Sequence, residues 1–482
     1  MLKPGIDILH IAAECSPFAQ VGGLGDVLGS LPQALAKEKL SCGVLLPRYG
    51  SIDIKKYRLR LIDQNIPVAI DSGVEKIKLY HCRLANNPVH YFFIDHALFN
   101  QSAIYLTGKK SQPTNVERFT FFCKAAIEVI RRSLPRPQII HAHDWHAALI
   151  PTFIDQAAGH YSGFHQIRTI FTVHNVAAQG QTSKNLTDYL LLSPTEEPAL
   201  MEDYYDDQYL NIMKIGILSA DMITTVSPSY AREIQTPAFG FGLEQYFQRR
   251  KKNLFGIING LDTELYNPNH DKHIFHTYNA KNVRKNKTIN KQRLLAERKL
   301  VSAELPLMAF IGRLTEQKGL DILLPAIEIL LREKRLSLIV LGTGEEYYQS
   351  ALGKLARRYP GQASLHIGFD QALAHKIYAA ADLLVMPSRF EPCGLGQLIA
   401  MRYGCLPIVH AVGGLKDTVI PEQNGWLFKT YSSKTLQRQI LTALDLYRRP
   451  NHWYTMVSKA MRTDVSWTKS AHDYYHLYQT IL

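Results

Sequence analysis

Two cationic side chains and one carboxylate follow predicted strands in the C-terminal half of the sequence. Arg313 and Lys318 share the loop after the predicted strand 307–312, and Glu391 follows the predicted strand 381–387. A guanidinium is a planar fork for phosphate oxygens, an ammonium is a point charge, and a carboxylate accepts hydrogen bonds from neighbouring sugar hydroxyls. These residue types predict a nucleotide-sugar site in which cations take the place of a metal ion.

A glycine-rich turn, residues 20–27, follows the first predicted strand and opens a helix. Gly22 and Gly23 would let backbone N–H groups approach a diphosphate at the helix N-terminus. The turn lacks the G-x-G-x-x-G pattern, and Pro47 and Arg48 stand where a nicotinamide site has an acidic residue after its second strand. The pattern therefore disfavours a nicotinamide site and leaves two interpretations: a turn whose backbone N–H groups bind a phosphate, or a turn in which the glycines serve only the local backbone conformation.

Histidines and an aspartate follow two further predicted strands. The first group follows strand residues 138–140 and His174 follows the next strand, so that the candidates are His141, His143, Asp144, His146 and His174. The i, i+2 and i+5 spacing of the first three histidines predicts that they do not converge on a metal ion as an H-E-x-x-H helix does. We therefore expect a polar cluster that contacts a hydroxylated ligand, with a hydrogen-bonded core histidine as the alternative.

Short apolar runs that position these residues alternate with helical patterns along the whole chain. The predicted strands are 7–13, 41–47, 138–143, 167–175, 222–227, 307–312, 337–342, 381–387 and 405–410, and helical patterns include 26–38, 117–132 and 397–403. Such alternation predicts parallel sheets with helices on both faces. We expect two doubly wound domains, 1–245 and 246–465, with ligands at the carboxyl ends of the strands and in a deep cleft between the domains.

Composition excludes several classes of protein. With 482 residues, 46% hydrophobic and 20% charged, the chain is neither collagenous nor disordered. The six cysteines form no C-x-x-C pair, which argues against a zinc site or a disulfide framework. The net charge of +13 is not accompanied by a nucleic-acid-binding motif, and no apolar run is long enough to span a membrane. We expect a cytoplasmic protein that binds neither nucleic acid nor membrane.

The chain closely resembles the bacterial glycogen synthases and plant starch synthases. The resemblance runs nearly full length, and eight motifs in order carry it: 22–27, 143–146, 173–175, 225–228, 259–263, 312–319, 389–395 and 413–415. The resemblance implies a GT-B arrangement of two Rossmann-like domains. The N-terminal domain, 1–245, would bind the glucan acceptor, the C-terminal domain, 246–465, the nucleotide sugar, and 466–482 would be a helix that crosses back.

The resemblance also implies an activity and the residues that perform it. Glucose would pass from ADP-glucose to the non-reducing end of an α-1,4-glucan, glycogen or a maltooligosaccharide, with retention of configuration and without cofactor or metal. Arg313 and Lys318 would neutralise the departing diphosphate, Glu391 would hold the glucose hydroxyls, His174 would stand beside the anomeric carbon, and Asp144 would help place the sugars. The donor-binding residues would be Gln20, Gly22, Gly23, Asp26, Asn259, Cys393, Gly394 and Leu395.

Four residues depart from the family pattern. Gln20 replaces a lysine that contacts the donor phosphates, which removes a charge-assisted contact of about 1.5–3 kcal/mol. Gly396 stands in place of a small hydroxyl or amide residue, and His410 and Val412 in place of arginine and threonine. Two alternatives therefore stay open: a synthase-like protein that binds glucan or a partner synthase and turns over weakly, and a GT-B transferase that uses UDP-glucose.

Overall fold

The computed structural model describes residues 5–70, 73–106, 114–183, 205–206, 209–301 and 303–482. The chain divides into two compact units. Unit 1 comprises Met1–Gly260 and Trp467–Leu482, and unit 2 comprises Leu261–Ser466. The division falls after Gly260 rather than at 245/246, because the strand Leu254–Gly256 pairs in parallel with Met222–Thr225 and so belongs to the first sheet.

Unit 1 is built on a nine-stranded sheet and a small three-stranded one. The strands are β1 (Ile8–Ile11), β2 (Cys42–Pro47), β3 (Arg60–Ile70), β4 (Gly73–Cys82), β5 (His90–Asp95), β6 (Ile139–His143), β7 (Arg168–Val173), β8 (Gln181–Ser183), β9 (Tyr205–Asp206), β10 (Tyr209–Asn211), β11 (Met222–Thr225) and β12 (Leu254–Gly256). The large sheet has the order β12-β11-β7-β6-β1-β2-β5-β4-β3, and the small sheet the order β8-β10-β9. The large sheet is parallel from β12 to β5, and an antiparallel hairpin, β3 and β4, extends its edge.

Helices follow the parallel strands of unit 1. Those in its described part are Gly23–Lys37, Asn115–Arg132, Ile150–His160, Ile212–Ser219, Pro228–Glu233, Glu244–Arg249 and, at the end of the chain, Trp467–Ile481. The helix Asn115–Arg132 begins with a capping box, in which Thr114 accepts from the Glu117 amide and the Glu117 carboxylate accepts from the Thr114 amide. Two backbone N–H groups that no helical bond can satisfy thus receive partners, which fixes where the helix starts.

Unit 2 contains one parallel sheet. Its strands are β13 (Leu307–Ile311), β14 (Ser337–Gly342), β15 (Ala363–Ile367), β16 (Leu383–Met386), β17 (Leu406–His410) and β18 (Trp426–Phe428). The order is β15-β14-β13-β16-β17-β18, with every neighbouring pair parallel. Its helices are Val283–Glu297, Leu320–Arg332, Glu346–Arg358, Gln371–Ala380, Gly396–Arg402, Gly413–Thr418, Ser433–Tyr447 and Pro450–Arg462.

The central strands of both sheets are largely apolar, as expected for parallel strands with helices on both faces, although β1 and β6 also bury His10, His141 and His143. Every residue of β1, β2, β6, β14 and β17 is buried. Among the described residues, no helix is both long and apolar enough to cross a bilayer. All six cysteines are buried and unbridged.

Candidate active site

The functional residues of unit 2 lie where the strand order of its sheet reverses. β13 has β14 on one side and β16 on the other. The loops after β13 and β16 therefore start side by side and then lead to opposite halves of the sheet, which is where open α/β sheets bind their ligands. Arg313 and Lys318 lie in the first of these loops, and Glu391 lies in the second.

Lys318 and Glu391 form an ion pair at this reversal point. The Lys318 ammonium lies 2.5 Å from Glu391 Oε2, and the Ser388 hydroxyl donates to the same oxygen over 3.0 Å. Glu391 is buried, yet its second oxygen, Oε1, has no protein partner in the described part of the chain. Lys318 and Ser388 thus orient the carboxylate and leave one oxygen able to accept hydrogen bonds from a sugar.

The two loops approach each other closely because Gly319 has no side chain. Its φ is 75°, and a Cβ placed there would lie 1.9 Å from the Pro387 carbonyl oxygen. The Arg389 amide also donates to the Gln317 carbonyl over 2.9 Å. The glycine therefore permits the approach that brings Lys318 to Glu391.

Arg313 is the exposed cation of the same loop. Its Nη2 donates to Gln317 Oε1 over 2.7 Å, and within the residues that the structure describes it makes no ion pair. Because no carboxylate neutralises it, the guanidinium can bind phosphate oxygens with its remaining N–H groups. The predicted cation pair thus consists of one lysine held by a carboxylate and one arginine free of any.

Amide-rich turns complete the unit 2 site. Leu395 is the N-cap of the helix Gly396–Arg402, and Gly394 before it has φ 75°. The buried Gln397 side chain donates to the Cys393 and Gly394 carbonyls over 3.1 and 2.9 Å, which holds this turn in place. A second turn, at residues 413–415, packs against the loop after β16, since the Gly414 amide donates to the carbonyls of Glu391 and Pro392.

A buried glutamate holds the glycine turn of unit 1. β1 lies between β2 and β6, so that the sheet also reverses its order here. Glu14, just after β1, accepts from the amides of Val21 and Gly22 over 2.6 and 2.9 Å, and from the Tyr105 hydroxyl over 2.6 Å. The Gly22 N–H is therefore occupied, and the N–H groups available to an anion are those at the start of the helix Gly23–Lys37.

The exposed Gln20 side chain lies beside Asp26, the acidic residue in the first turn of that helix. Gln20 Nε2 donates to Asp26 Oδ1 over 2.8 Å. Glu14 was not predicted from the sequence; an acidic residue directly after an apolar strand, six residues before the glycine turn 20–27, was the available signal.

Asp144 and His174 lie together at the ends of β6 and β7. Asp144 has φ 56°, a left-handed conformation that is uncommon outside glycine, and its Oδ1 accepts from the His174 amide over 2.7 Å. Burial raises the pKa of Asp144 to about 7. Burial also lowers the pKa of the His174 imidazole to about 3, so the ring is neutral at physiological pH. His174 can therefore donate or accept a hydrogen bond but carries no charge.

The expectation that the histidines diverge is wrong for His141 and His143. Together with His10 they bring nitrogens within 4.8 Å of one another, the geometry of a possible metal site. Both nitrogens of His141 and both of His143 are already hydrogen-bonded. Among the nitrogens of these three rings that could bind a metal ion, only His10 Nε2 has no hydrogen-bond partner in the described part of the chain. That the protein needs no metal stays a prediction.

Two other predicted residues are packed into unit 1. His146 is buried and stacks on Tyr105 with ring centroids 5.1 Å apart, so it is a core histidine. Asn259, in the loop after β12, is buried, and its Oδ1 has no partner among the described residues.

The replacements near the donor site of unit 2 fit their surroundings. His410 directs Nδ1 at the Ser388 carbonyl over 2.8 Å and Nε2 at the Lys429 carbonyl over 3.2 Å. A Cβ at Gly396 would lie 3.3 Å from Met386 Sδ, a tight contact that the flexible methionine can relieve.

Comparison with known proteins identifies the family of both units. Residues 7–249 match the model of the starch synthase catalytic domain, and residues 292–459 match that of the glycosyl transferases group 1. The chain is 38% identical to the glycogen synthase of Geotalea daltonii, covering 98% of this chain and 99% of that one. It is 39% identical to the glycogen synthase of Lactobacillus acidophilus, again over 98% and 99%.

Solved structures show the same fold. The catalytic domain of starch synthase IV from Arabidopsis thaliana, bound to ADP and acarbose, matches with a TM-score of 0.89 and 33% identity over 99% of both chains. The sucrose-phosphate synthase of Thermosynechococcus elongatus matches with a TM-score of 0.60 at 17% identity over 98% of both chains. The second match supports the GT-B fold alone.

Proposed function

The chain belongs to the glycogen and starch synthase family of GT-B glucosyltransferases, and we propose that it transfers glucose from ADP-glucose to the non-reducing end of an α-1,4-glucan. The observation that carries the donor assignment is the Lys318–Glu391 pair in the loops that also carry Arg313, a cation that makes no ion pair with any residue the structure describes. This arrangement joins a sugar-binding carboxylate to two phosphate-binding cations, which are the two halves of a nucleotide sugar.

The residues of unit 2 act on the donor. Glu391 Oε1 accepts hydrogen bonds from glucose hydroxyls, while Lys318 and Arg313 meet the negative charge that grows on the diphosphate as the glycosidic bond breaks. Such preorganised charge stabilises the transition state more than the ground state. The turn at Gly394, which leads into the helix Gly396–Arg402, adds the backbone amides of the helix start to this positive environment.

The residues of unit 1 act on the sugars. His174, neutral at physiological pH, offers a hydrogen bond next to the reacting carbon, and Asp144 fixes the His174 backbone through its 2.7 Å bond. Because the two cations can supply the charge that a divalent ion would supply, we expect no metal requirement. The unbridged cysteines are compatible with a reducing compartment, and the cytoplasmic location stays a prediction.

A donor-by-acceptor matrix tests this function. The purified full chain is incubated with radiolabelled ADP-glucose or UDP-glucose, and with glycogen or a maltooligosaccharide. We expect label from ADP-glucose to enter α-1,4-linked product, which an α-1,4-specific hydrolase releases. Preference for UDP-glucose would favour the other GT-B transferase, and binding of glucan without transfer from either donor would favour the interaction protein.

A further inference from the structure

Three imidazole rings of unit 1 form one unbranched hydrogen-bonded chain that ends at His174. His10 Nδ1 lies 3.0 Å from His143 Nε2, and His143 Nδ1 lies 3.0 Å from His174 Nε2. The sheet itself brings the rings together. β1 and β6 pair with His10 opposite His141, and His143 lies two residues further on the same face of β6.

Each ring of this chain is neutral at physiological pH. Burial lowers the pKa of His10 and of His174 to about 3, and that of His143 well below its usual value. A neutral imidazole has one N–H donor and one acceptor nitrogen. The position of the proton on one ring therefore determines its position on the next ring. Only two arrangements of the protons along the three rings are possible.

The two arrangements differ at the far end of the chain. If His174 donates from Nε2, then His143 donates to His10, and His10 Nε2 must carry a proton. If His10 donates from Nδ1, then His143 donates to His174, and His10 Nε2 is a bare lone pair. His10 Nε2 is buried and has no partner among the described residues.

Buried N–H groups without an acceptor are rarer in proteins than acceptors without a donor. The unpartnered nitrogen of His10 therefore favours the second arrangement, which places no N–H at the buried His10 Nε2 and leaves only the N–H at the His174 end of the chain open to a ligand. At the other end, His174 Nε2 accepts from His143, and the proton of His174 lies on Nδ1. Nδ1 has no hydrogen bond within the described part of the protein.

We propose that His10 and His143 are positioning residues which hold His174 in the Nδ1–H tautomer, so that it donates a hydrogen bond to an oxygen of the sugar. A histidine free in water prefers the opposite, Nε2–H tautomer. His174 is consequently a donor at Nδ1 and not a base there. The role toward the sugar rests on the proposed function, whereas the tautomer does not.

The experiment reads the tautomer directly. Full-length protein with ¹⁵N-labelled histidine is studied by long-range ¹H–¹⁵N correlation, and the His174 signals are identified by their loss in His174→Gln. We expect a pyrrole-type Nδ1 and a pyridine-type Nε2 for His174 in the wild type. The reverse pattern, or a bound metal ion detected on the histidines, would overturn the proposal.

A matched pair of variants tests the cause. Asparagine can place an N–H where His10 has Nδ1, so His10→Asn should keep the wild-type tautomer of His174. Phenylalanine fills the same space without a donor, so His10→Phe should shift His174 toward Nε2–H and lower kcat about tenfold, the effect of one neutral hydrogen bond. An unchanged tautomer of His174 in His10→Phe would show that the hydrogen-bonded chain from His10 does not determine it.

A control variant separates the effect of the hydrogen-bonded chain of three rings from general damage to the packing around these histidines. Tyr478 bonds His141, which lies outside the chain of three rings, over 2.9 Å. Tyr478→Phe should therefore leave the tautomer of His174 unchanged, and a shift there would overturn the assignment to His10. A wild type with the expected tautomer but no glucosyl transfer would refute the proposed function, whereas the role of His10 and His143 as positioning residues would still hold.

Discussion

Changing Gln20 to lysine is expected to tighten donor binding by a factor that the local geometry limits. The resemblance to the family implies that a lysine at this position would contact the donor phosphates. A hydrogen bond to a charged partner contributes about 1.5–3 kcal/mol, with a neutral amide donor at the lower end of this range and an ammonium donor at the upper end. Replacing the amide by an ammonium should therefore add roughly 1–1.5 kcal/mol to donor binding.

Asp26 reduces this gain. Gln20 Nε2 already donates to Asp26 Oδ1 over 2.8 Å, and a lysine would pair with the same carboxylate before the donor arrives. An exposed ion pair of this kind contributes about 0.2–1 kcal/mol, which donor binding would have to overcome. Taken at the middle of both ranges, the net gain is then about 0.7 kcal/mol, which corresponds to a roughly threefold lower donor KM.

The assay compares kcat and donor KM of wild type, Gln20→Lys and Gln20→Met at saturating glucan. Methionine has the length of glutamine without its polar group, and it should raise KM. A Gln20→Lys enzyme with unchanged or higher KM would refute the contact between residue 20 and the phosphates. Inactivity of both wild type and Gln20→Lys would contradict the synthase function.

Three further outcomes are expected. Lys318→Ala should lower kcat by about 10²–10³-fold, the loss of one preorganised electrostatic donor, with an unchanged circular dichroism spectrum; wild-type kcat would refute the role of Lys318. Activity should survive excess EDTA, and a loss that magnesium restores would show that the cations do not suffice. Asp144, with its pKa raised to about 7, keeps a proton that the unfolded chain releases near pH 4, so its own contribution to stability falls as pH rises between these values. The buried histidines contribute with the opposite sign, because they stay neutral in the folded chain and bind protons below about pH 6.5 when it unfolds. Asp144→Asn should therefore make Tm rise more steeply with pH in this window, and an equal slope would contradict the raised pKa.

The parallel strands could be predicted because they are buried on both faces. The runs 307–312 and, after Ser337, 338–342 contain no polar side chain, and they form β13 and β14. The hairpin β3–β4 lies at the sheet edge and exposes most of its residues, so no apolar run marked it. The predicted boundary at 245/246 also placed the short edge strand β12 in the second unit. It pairs with β11 of the first unit, and a local sequence pattern does not show which strands pair.

The site residues that could be predicted are those that lie in recognisable motifs. The residues that the sequence did not reveal act mostly through partners that are distant along the chain. Ser388 bonds Glu391 from three residues away, but Glu14 meets Tyr105 and His10 meets His143 over 91 and 133 residues of sequence. A buried histidine inside an apolar strand looks like ordinary core. Only the register of β1 against β6 reveals that it begins a chain ending at His174.

The departures from the family pattern differ in what they cost the donor site. His410 replaces an arginine, but its two ring nitrogens both face carbonyl oxygens, of Ser388 and Lys429. The imidazole thus keeps a polar contact with the loop that carries Glu391. Gln20 is an amide, so it brings no charge to the phosphates that a lysine at this position is expected to contact. We therefore expect the loss of donor affinity to concentrate at position 20, and a lysine there to restore part of it, because Asp26 competes for the ammonium.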